Sequence, residues 1–240
     1  MSQIEKIRKR RNCDGGEDGM KEVFRELSRE FESAGIWINN AFTPMNNALD
    51  VAGYALKIGK CELCDLKGDA YALPRIKRGR GKKVMFIGEA PGREEAKQHI
   101  AFVGPSGKEL DRWIGYMGID NYYITNIVKH RPTIGDRDRS PDQIEIGRCL
   151  PYLWDEVRKE KPSVVITLGL TASREILHIQ KMGSAVKDHY QVQSPDGTLY
   201  IVLYHPSYAL RMKNSPDGEE FFKNLYTYLD EIKKDINGGE

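Results

Sequence analysis

A glutamate, an asparagine and a histidine, each closing a short apolar run, are the residues in this chain best suited to chemistry. Glu89 lies in G-E-A-P-G (88–92), directly after V-M-F-I (84–87). Gly88 and Gly92 flank Pro91, so the backbone turns sharply and exposes its amides. The turn is neither a G-K-[ST] phosphate loop nor a G-x-G-x-x-G dinucleotide fingerprint. Asn126 ends Y-Y-I-T-N (122–126), and its amide offers a donor and an acceptor side by side, as reading a heterocycle edge requires. His205 follows L-Y-I-V-L-Y (199–204), which brings its imidazole out at a strand end. Phe102, in F-V-G-P-S-G (102–107), offers a flat ring on which a base can stack. Each has a plainer reading: Glu89 as an acid at a helix start, Phe102 as core, Asn126 as a turn-former. Gathered at strand ends, they point to one crevice.

A second set of residues has metal-ligand character. Cys61 and Cys64 form a C-x2-C pair, and Cys149 and His130 complete a Cys3His set. That set suits structural zinc, or an iron–sulfur cluster in which one imidazole replaces a thiolate. Cys13 is a weaker candidate for the fourth ligand.

The elements that must position these groups follow from the apolar pattern. Four runs, 84–88, 122–126, 163–169 and 199–204, read as strands, with helices between them over 106–117, 141–159, 171–177 and 217–234. Strand–helix alternation predicts a three-layer α/β/α fold on a mainly parallel sheet of about four strands. The S-P-D-G turn (194–197) predicts a hairpin that adds an antiparallel edge. Ser106, three residues before Glu109, is expected to cap its helix through a capping box. An amphipathic helix over 18–33 and another over about 47–58 form a helical extension (1–57) ahead of the main domain (58–240).

Composition narrows the function classes. The 240 residues hold 37 Lys+Arg against 35 Asp+Glu, which excludes a polycationic tail protein. Four cysteines are too few for a disulfide scaffold, and no apolar stretch approaches a membrane span. The first thirty residues are charged and unlike a signal peptide, so a cytoplasmic protein is expected. The charge is uneven, however. P-R-I-K-R-G-R-G-K-K (74–83) contains no acid, and R-P-T-I-G-D-R-D-R (131–139) adds Arg131, Arg137 and Arg139. Two such loops near a base-sized crevice suggest a surface that follows a phosphate backbone.

In their order, C-E-L-C, G-E-A-P-G-R-E-E, F-V-G-P-S-G-K-E-L-D, T-N-I-V-K-H-R-P, R-C-L-P-Y-L and H-P-S-Y-A-L-R resemble the family 4 uracil-DNA glycosylases, over roughly residues 58–229. The resemblance implies the uracil-DNA glycosylase fold, a [4Fe–4S] cluster with zinc as the alternative, and hydrolysis of the N-glycosidic bond of uracil in single- or double-stranded DNA. It implies a monomeric base-excision repair enzyme that leaves an abasic site and does not cut the strand. It makes Glu89 the residue that positions or activates water, and His205 the donor to uracil O2. Phe102 becomes the stacking platform, Asn126 the reader of the uracil edge, and Glu95 the block against a thymine methyl. Gly88 and Ala90 line the same pocket. Ser207, Tyr208 and Arg211 would grip phosphate and wedge the duplex, with Arg131 contributing from its basic loop. Cys61, Cys64, Cys149 and His130 become the cluster ligands. The family has Cys where His130 stands, so either the imidazole ligates, or the cluster is held by three thiols, altered or lost. The branch of relatives that traps DNA covalently carries an inserted basic loop after this point, and I-G-D-R-D-R-S-P-D-Q (134–143) stands here instead. Two other readings remain: a metal-cluster module that binds nucleic acid without catalysis, and a glycosylase for hypoxanthine or xanthine.

Overall fold

The computed structural model describes residues 51–66 and 68–238. The helix expected over 18–33, the basic run at 1–12 and Cys13 lie outside these residues. The strands are β1 (Arg75–Lys77), β2 (Val84–Gly88), β3 (Tyr122–Asn126), β4 (Thr133–Ile134), β5 (Arg137–Asp138), β6 (Val164–Leu168), β7 (Gln191–Gln193) and β8 (Leu199–Leu203). The helices are α1 (Val51–Gly59), α2 (Arg93–Gln98), α3 (Pro105–Met117), α4 (Gln143–Glu160), α5 (Leu170–Leu177), α6 (Met182–Lys187), α7 (Pro206–Met212) and α8 (Gly218–Asn237).

Six strands form one sheet in the order β1-β3-β2-β6-β8-β7, and β4 pairs with β5 as a separate hairpin. The four expected strands are the parallel centre, β3-β2-β6-β8. β2 and β6 are buried at every residue, because helices cover both faces of a parallel sheet and leave no polar side to alternate with. The expected hairpin edge is β7–β8. A second antiparallel edge, β1 on β3, lies inside the basic run, where charged residues hide a strand signal.

α3 buries Leu110, Trp113, Ile114 and Met117 and packs against α7 and α8. It begins differently from the expected capping box. Gly104 is the N-cap, Pro105 opens the first turn, and no side chain caps the helix from that position. Glu109 is 2% exposed and instead binds Arg112 and Lys213, the latter at 2.9 Å, which ties α3 to the end of α7. A capping box does form on α4: Asp142 accepts from the amides of Ile144 and Glu145, and Glu145 returns a bond to the Asp142 amide. At the start of the described chain, Tyr54 of α1 is buried and donates its hydroxyl to Glu156 of α4.

The basic run does not lie beside the strand ends that face the crevice. Lys77 pairs with Tyr122 at the beginning of β3, and residues 78–83 lead into the start of β2. The run therefore occupies the amino-terminal pole of the sheet, away from Gly88 and Asn126. Most of its charge is also committed. Arg75 binds Asp111, Lys77 binds Asp120, and Arg78 and Lys83 both reach Glu160.

Three glutamates make these clamps sensitive to acid. Burial pushes the Glu109 and Glu160 carboxyls up, but Lys213 and Arg112 in the first case, and Arg78 and Lys83 in the second, hold both below the usual range. Arg139 does the same for Glu145. A carboxylate with a lowered folded-state value contributes stability above its unfolded value of about 4.3, and loses it as pH falls through the folded value. Urea-unfolding midpoints should therefore hold from pH 7 to about 5 and then fall. Glu160→Gln should lower the midpoint at pH 7 and flatten that acid dependence.

Candidate active site

The carboxyl ends of β2, β3, β6 and β8 open into one cavity of about 590 Å³, large enough for a base and its sugar. Glu89, Phe102, Asn126, Gly169, Thr171 and His205 all line it. The parallel register puts Gly88 beside Asn126 and Leu168 beside Leu203, so four strands deliver their following residues to the same level.

Gly88 is what allows two of these groups to meet. A Cβ on it would sit 2.5 Å from the Phe102 ring and 2.6 Å from Asn126 Oδ1, closer than any methyl can approach. Gly169 has a related role at β6: its φ is +85°, and a Cβ there would lie 2.9 Å from that of His205.

Phe102 is nearly buried and its ring lies 5.9 Å from that of His205. Its φ is +56°, a strained conformation for a bulky residue, so the loop needs an external hold. Glu95 supplies it from α2. Its Oε1 accepts from the Val103 amide at 3.0 Å and the Gly104 amide at 2.7 Å. These are donors at the unpaired start of α3, where a carboxylate is favoured. Glu95 still borders the cavity.

Asn126 is 3% exposed, and its Oδ1 has no hydrogen-bond partner among the described residues. A buried amide oxygen left unpaired costs free energy unless a ligand completes it. Across the cavity, Glu89 Oε2 accepts from the Thr171 hydroxyl at 2.5 Å. His205 caps α7: its Nδ1 accepts from the Ser207 amide at 3.2 Å and lies 2.8 Å from the Ser207 hydroxyl. An amide can only donate, so Nδ1 carries the lone pair and Nε2 the hydrogen. Enclosure lowers the imidazole pKa, with Glu89 opposing and Arg211 assisting, so the neutral ring is favoured.

The remaining expected residues are more spread out. Ala90, Ser207 and Arg211 line the cavity. Tyr208 lies at its rim, 36% exposed, stacked on Tyr204 and covered by the Arg211 guanidinium at 5.5 Å. Arg131 faces a neighbouring groove and binds Asp138 at 2.5 Å, so it braces the β4–β5 hairpin. Sequence reasoning missed Thr171 and the clamping contact of Glu95. The L-T-A-S segment at a strand end was the available signal for Thr171.

On the far side of β3, Cys61, Cys64 and Cys149 are free thiols. Burial pushes Cys149 up to about 12, and Cys61 and Cys64 add to that shift, as neighbouring thiolates would. His130 is 4% exposed; it donates to the Gly68 carbonyl, and its Nε2 has no partner among the described residues. A histidine held by one ring nitrogen with the other lone pair free is in the form in which it ligates metals. Among the described residues, no three His, Cys, Asp or Glu side chains converge closely enough for a single metal ion. A multi-iron cluster spreads its ligands over several metal atoms, and the free thiols and the buried lone pair fit that kind of group.

The Glu95 clamp can be tested directly. Glu95→Ala should expose the Val103 and Gly104 amides to faster hydrogen exchange and cost about 1–3 kcal/mol in urea unfolding, the range for unpairing buried donors.

Comparison with known proteins gives a consistent result. Residues 77–230 match the family described as "Uracil DNA glycosylase superfamily". The chain is 32% identical over 184 residues to a Type-4 uracil-DNA glycosylase of Pyrobaculum aerophilum, covering 72% of this chain and 89% of the relative. It is 31% identical to that of Archaeoglobus fulgidus, covering 70% and 88%. It is 29% identical to that of Thermotoga maritima, covering 66% and 82%. On the match over residues 77–230 and these identities over most of the chain, the chain belongs to the uracil DNA glycosylase superfamily.

Proposed function

We propose that this protein is a DNA repair hydrolase that excises uracil from single- or double-stranded DNA as a monomer, leaving an abasic site. The observation that carries this reading is buried Asn126, whose Oδ1 has no hydrogen-bond partner among the described residues, lining one cavity with Phe102, Glu89 and His205. One amide with one open acceptor is what the N3–H of uracil requires, and the Nδ2 hydrogens of the same amide then meet O4.

A base inside a duplex cannot reach this cavity, so the target nucleotide must leave the stack. Phe102 then covers one face of the base and Asn126 holds its edge. As the C1′–N1 bond breaks, its electron pair leaves with uracil, and the sugar gains oxocarbenium character. His205 Nε2–H points its dipole at O2, where the negative charge gathers. Glu89, oriented by Thr171, stabilises the sugar and takes a proton from the water that adds to C1′. Glu95 acts through the Phe102 loop and borders the C5 side of the base, the position needed to reject a thymine methyl. Ser207, Tyr208 and Arg211 hold the strand at the cavity rim, with Arg131 behind the β4–β5 hairpin.

Cys61, Cys64, Cys149 and His130 would hold a [4Fe–4S] cluster. When bound, it would supply a cross-link among the chain after α1, the end of β3 and α4, together with a redox-active chromophore. The free thiols suit a reducing cytoplasm.

Single-turnover release of uracil from a labelled oligonucleotide tests the assignment. Glu89→Gln and His205→Ala should each lose about 100- to 1,000-fold in rate, the usual effect of removing one such electrostatic group. Intact rates in both would overturn it. Because His205 is favoured as neutral and its pKa is lowered, activity should stay level as pH falls from 8 through about 6.5, the ordinary histidine value, and drop only below it. For the cluster, anaerobically purified protein should be brown and contain iron. A colourless protein without iron would refute that part while leaving excision to be judged separately.

A further inference from the structure

The Asn126 carboxamide poses a positioning problem. Its oxygen has no hydrogen-bond partner among the described residues, so no hydrogen bond to the oxygen fixes it. Its orientation must come from the main chain that carries it. That main chain is held by Lys129, three residues on. The Lys129 ammonium is 1% exposed and donates to the Asn126 carbonyl at 2.7 Å and to the Thr125 hydroxyl at 2.8 Å. Its third bond, 2.8 Å, goes to Glu156 of α4. Glu156 is equally buried and accepts from Tyr54 of α1 through its other oxygen. A helix, the end of a strand and a second helix thus converge on one ammonium directly behind the base-reading residue.

A buried ion pair is a poor way to fill space. Apolar side chains of similar volume often do as well or better for stability. What the ammonium offers, and an apolar residue cannot, is directed donors. Two of its three bonds end on the last two residues of β3, and one of those residues is the reader. The contact requires no movement on ligand binding, and such preorganisation is how neighbouring groups sharpen recognition.

We infer that Lys129, with Glu156 as its counter-charge, is a positioning residue for Asn126 that sets the affinity of the pocket for uracil. The inference rests on Asn126 reading the base, as proposed above. It assigns Lys129 no contact with DNA or the reacting atoms.

The test uses the charge-free pair Lys129→Met with Glu156→Gln, because removing the lysine alone would strand a buried carboxylate. Free uracil binding is measured by calorimetry and abasic-site duplex binding by fluorescence anisotropy. The pair is expected to lose about tenfold or more in uracil affinity while binding abasic DNA as the unaltered protein does. Combined with Asn126→Ala, it should cause no loss beyond that of Asn126→Ala alone, because both remove the same interaction. Unchanged uracil affinity in the pair, or losses that multiply with Asn126→Ala, would overturn the inference. If the pair does not fold, Thr125→Val removes one anchor of the ammonium without uncovering a charge. It should show a smaller loss of about threefold, with the same lack of additivity. Full affinity in that variant would overturn the inference too. Excision by the unaltered protein is the separate control: if it releases no uracil, the functional reading fails, whatever the variants show.

Discussion

The site depends on the absence of one Cβ. Gly88 ends the central strand β2, and the space its side chain would occupy is taken by the Phe102 ring and the Asn126 amide. Phe102 and Asn126, the proposed stacking surface and edge reader, can share one pocket only because their common neighbour has no side chain. The rest of the local structure serves this approach. The loop carrying Phe102 is forced into a left-handed conformation, and Glu95 offsets that strain by accepting two amides just beyond it. Gly169 repeats the device on the next strand, making room for His205.

Electrostatics follow the same geometry. The basic run at 74–83 looked in sequence like a surface for phosphate. In the fold it lies at the opposite pole and pairs with acids, Glu160 above all. What lines the cavity is sparse and partly committed: Arg211 over Tyr208, Arg93 on the hairpin carbonyl of Asp136, and Arg139 paired with Glu145. The formal charge of +2 is therefore not hiding a broad cationic face built from that run. Under the proposed function, the described residues around the cavity offer shape, stacking and a few directed contacts more than accumulated charge.

How far the sequence could be read depended on the range of the forces involved. The four parallel strands and the helices between them were legible because each is a local apolar pattern, and the strand-end rule then placed Glu89, Asn126 and His205 together. β1 was illegible because two of its three residues, Arg75 and Lys77, carry charges that a surface edge strand tolerates. The Ser106 cap failed because the helix starts two residues earlier, at Gly104 and Pro105 just behind the amides that Glu95 clamps, so the Lys108 amide donates to the Gly104 carbonyl instead. Asp142 and Glu145 have the same spacing as Ser106 and Glu109 and do form the box, because Asp142 is itself the N-cap of its helix. A local motif reports what a segment can do. Tertiary contacts decide whether it does.

Lys129 shows the same limit more sharply. In V-K-H-R it reads as one more cation of a basic stretch, and nothing local says that it turns inward. Its burial follows from two residues far away in sequence, Glu156 and, behind it, Tyr54. The adjacent amide makes a further link, since the Lys129 N–H donates to the Cys149 sulfur at 3.2 Å. One residue thus touches a candidate cluster ligand through its backbone and the proposed base reader through its side chain. A change in the charge or position of that sulfur would act first on the Lys129 main chain. The same short turn, 126–129, would carry it to Asn126, and this gives the metal-ligand side of β3 a physical route to the pocket.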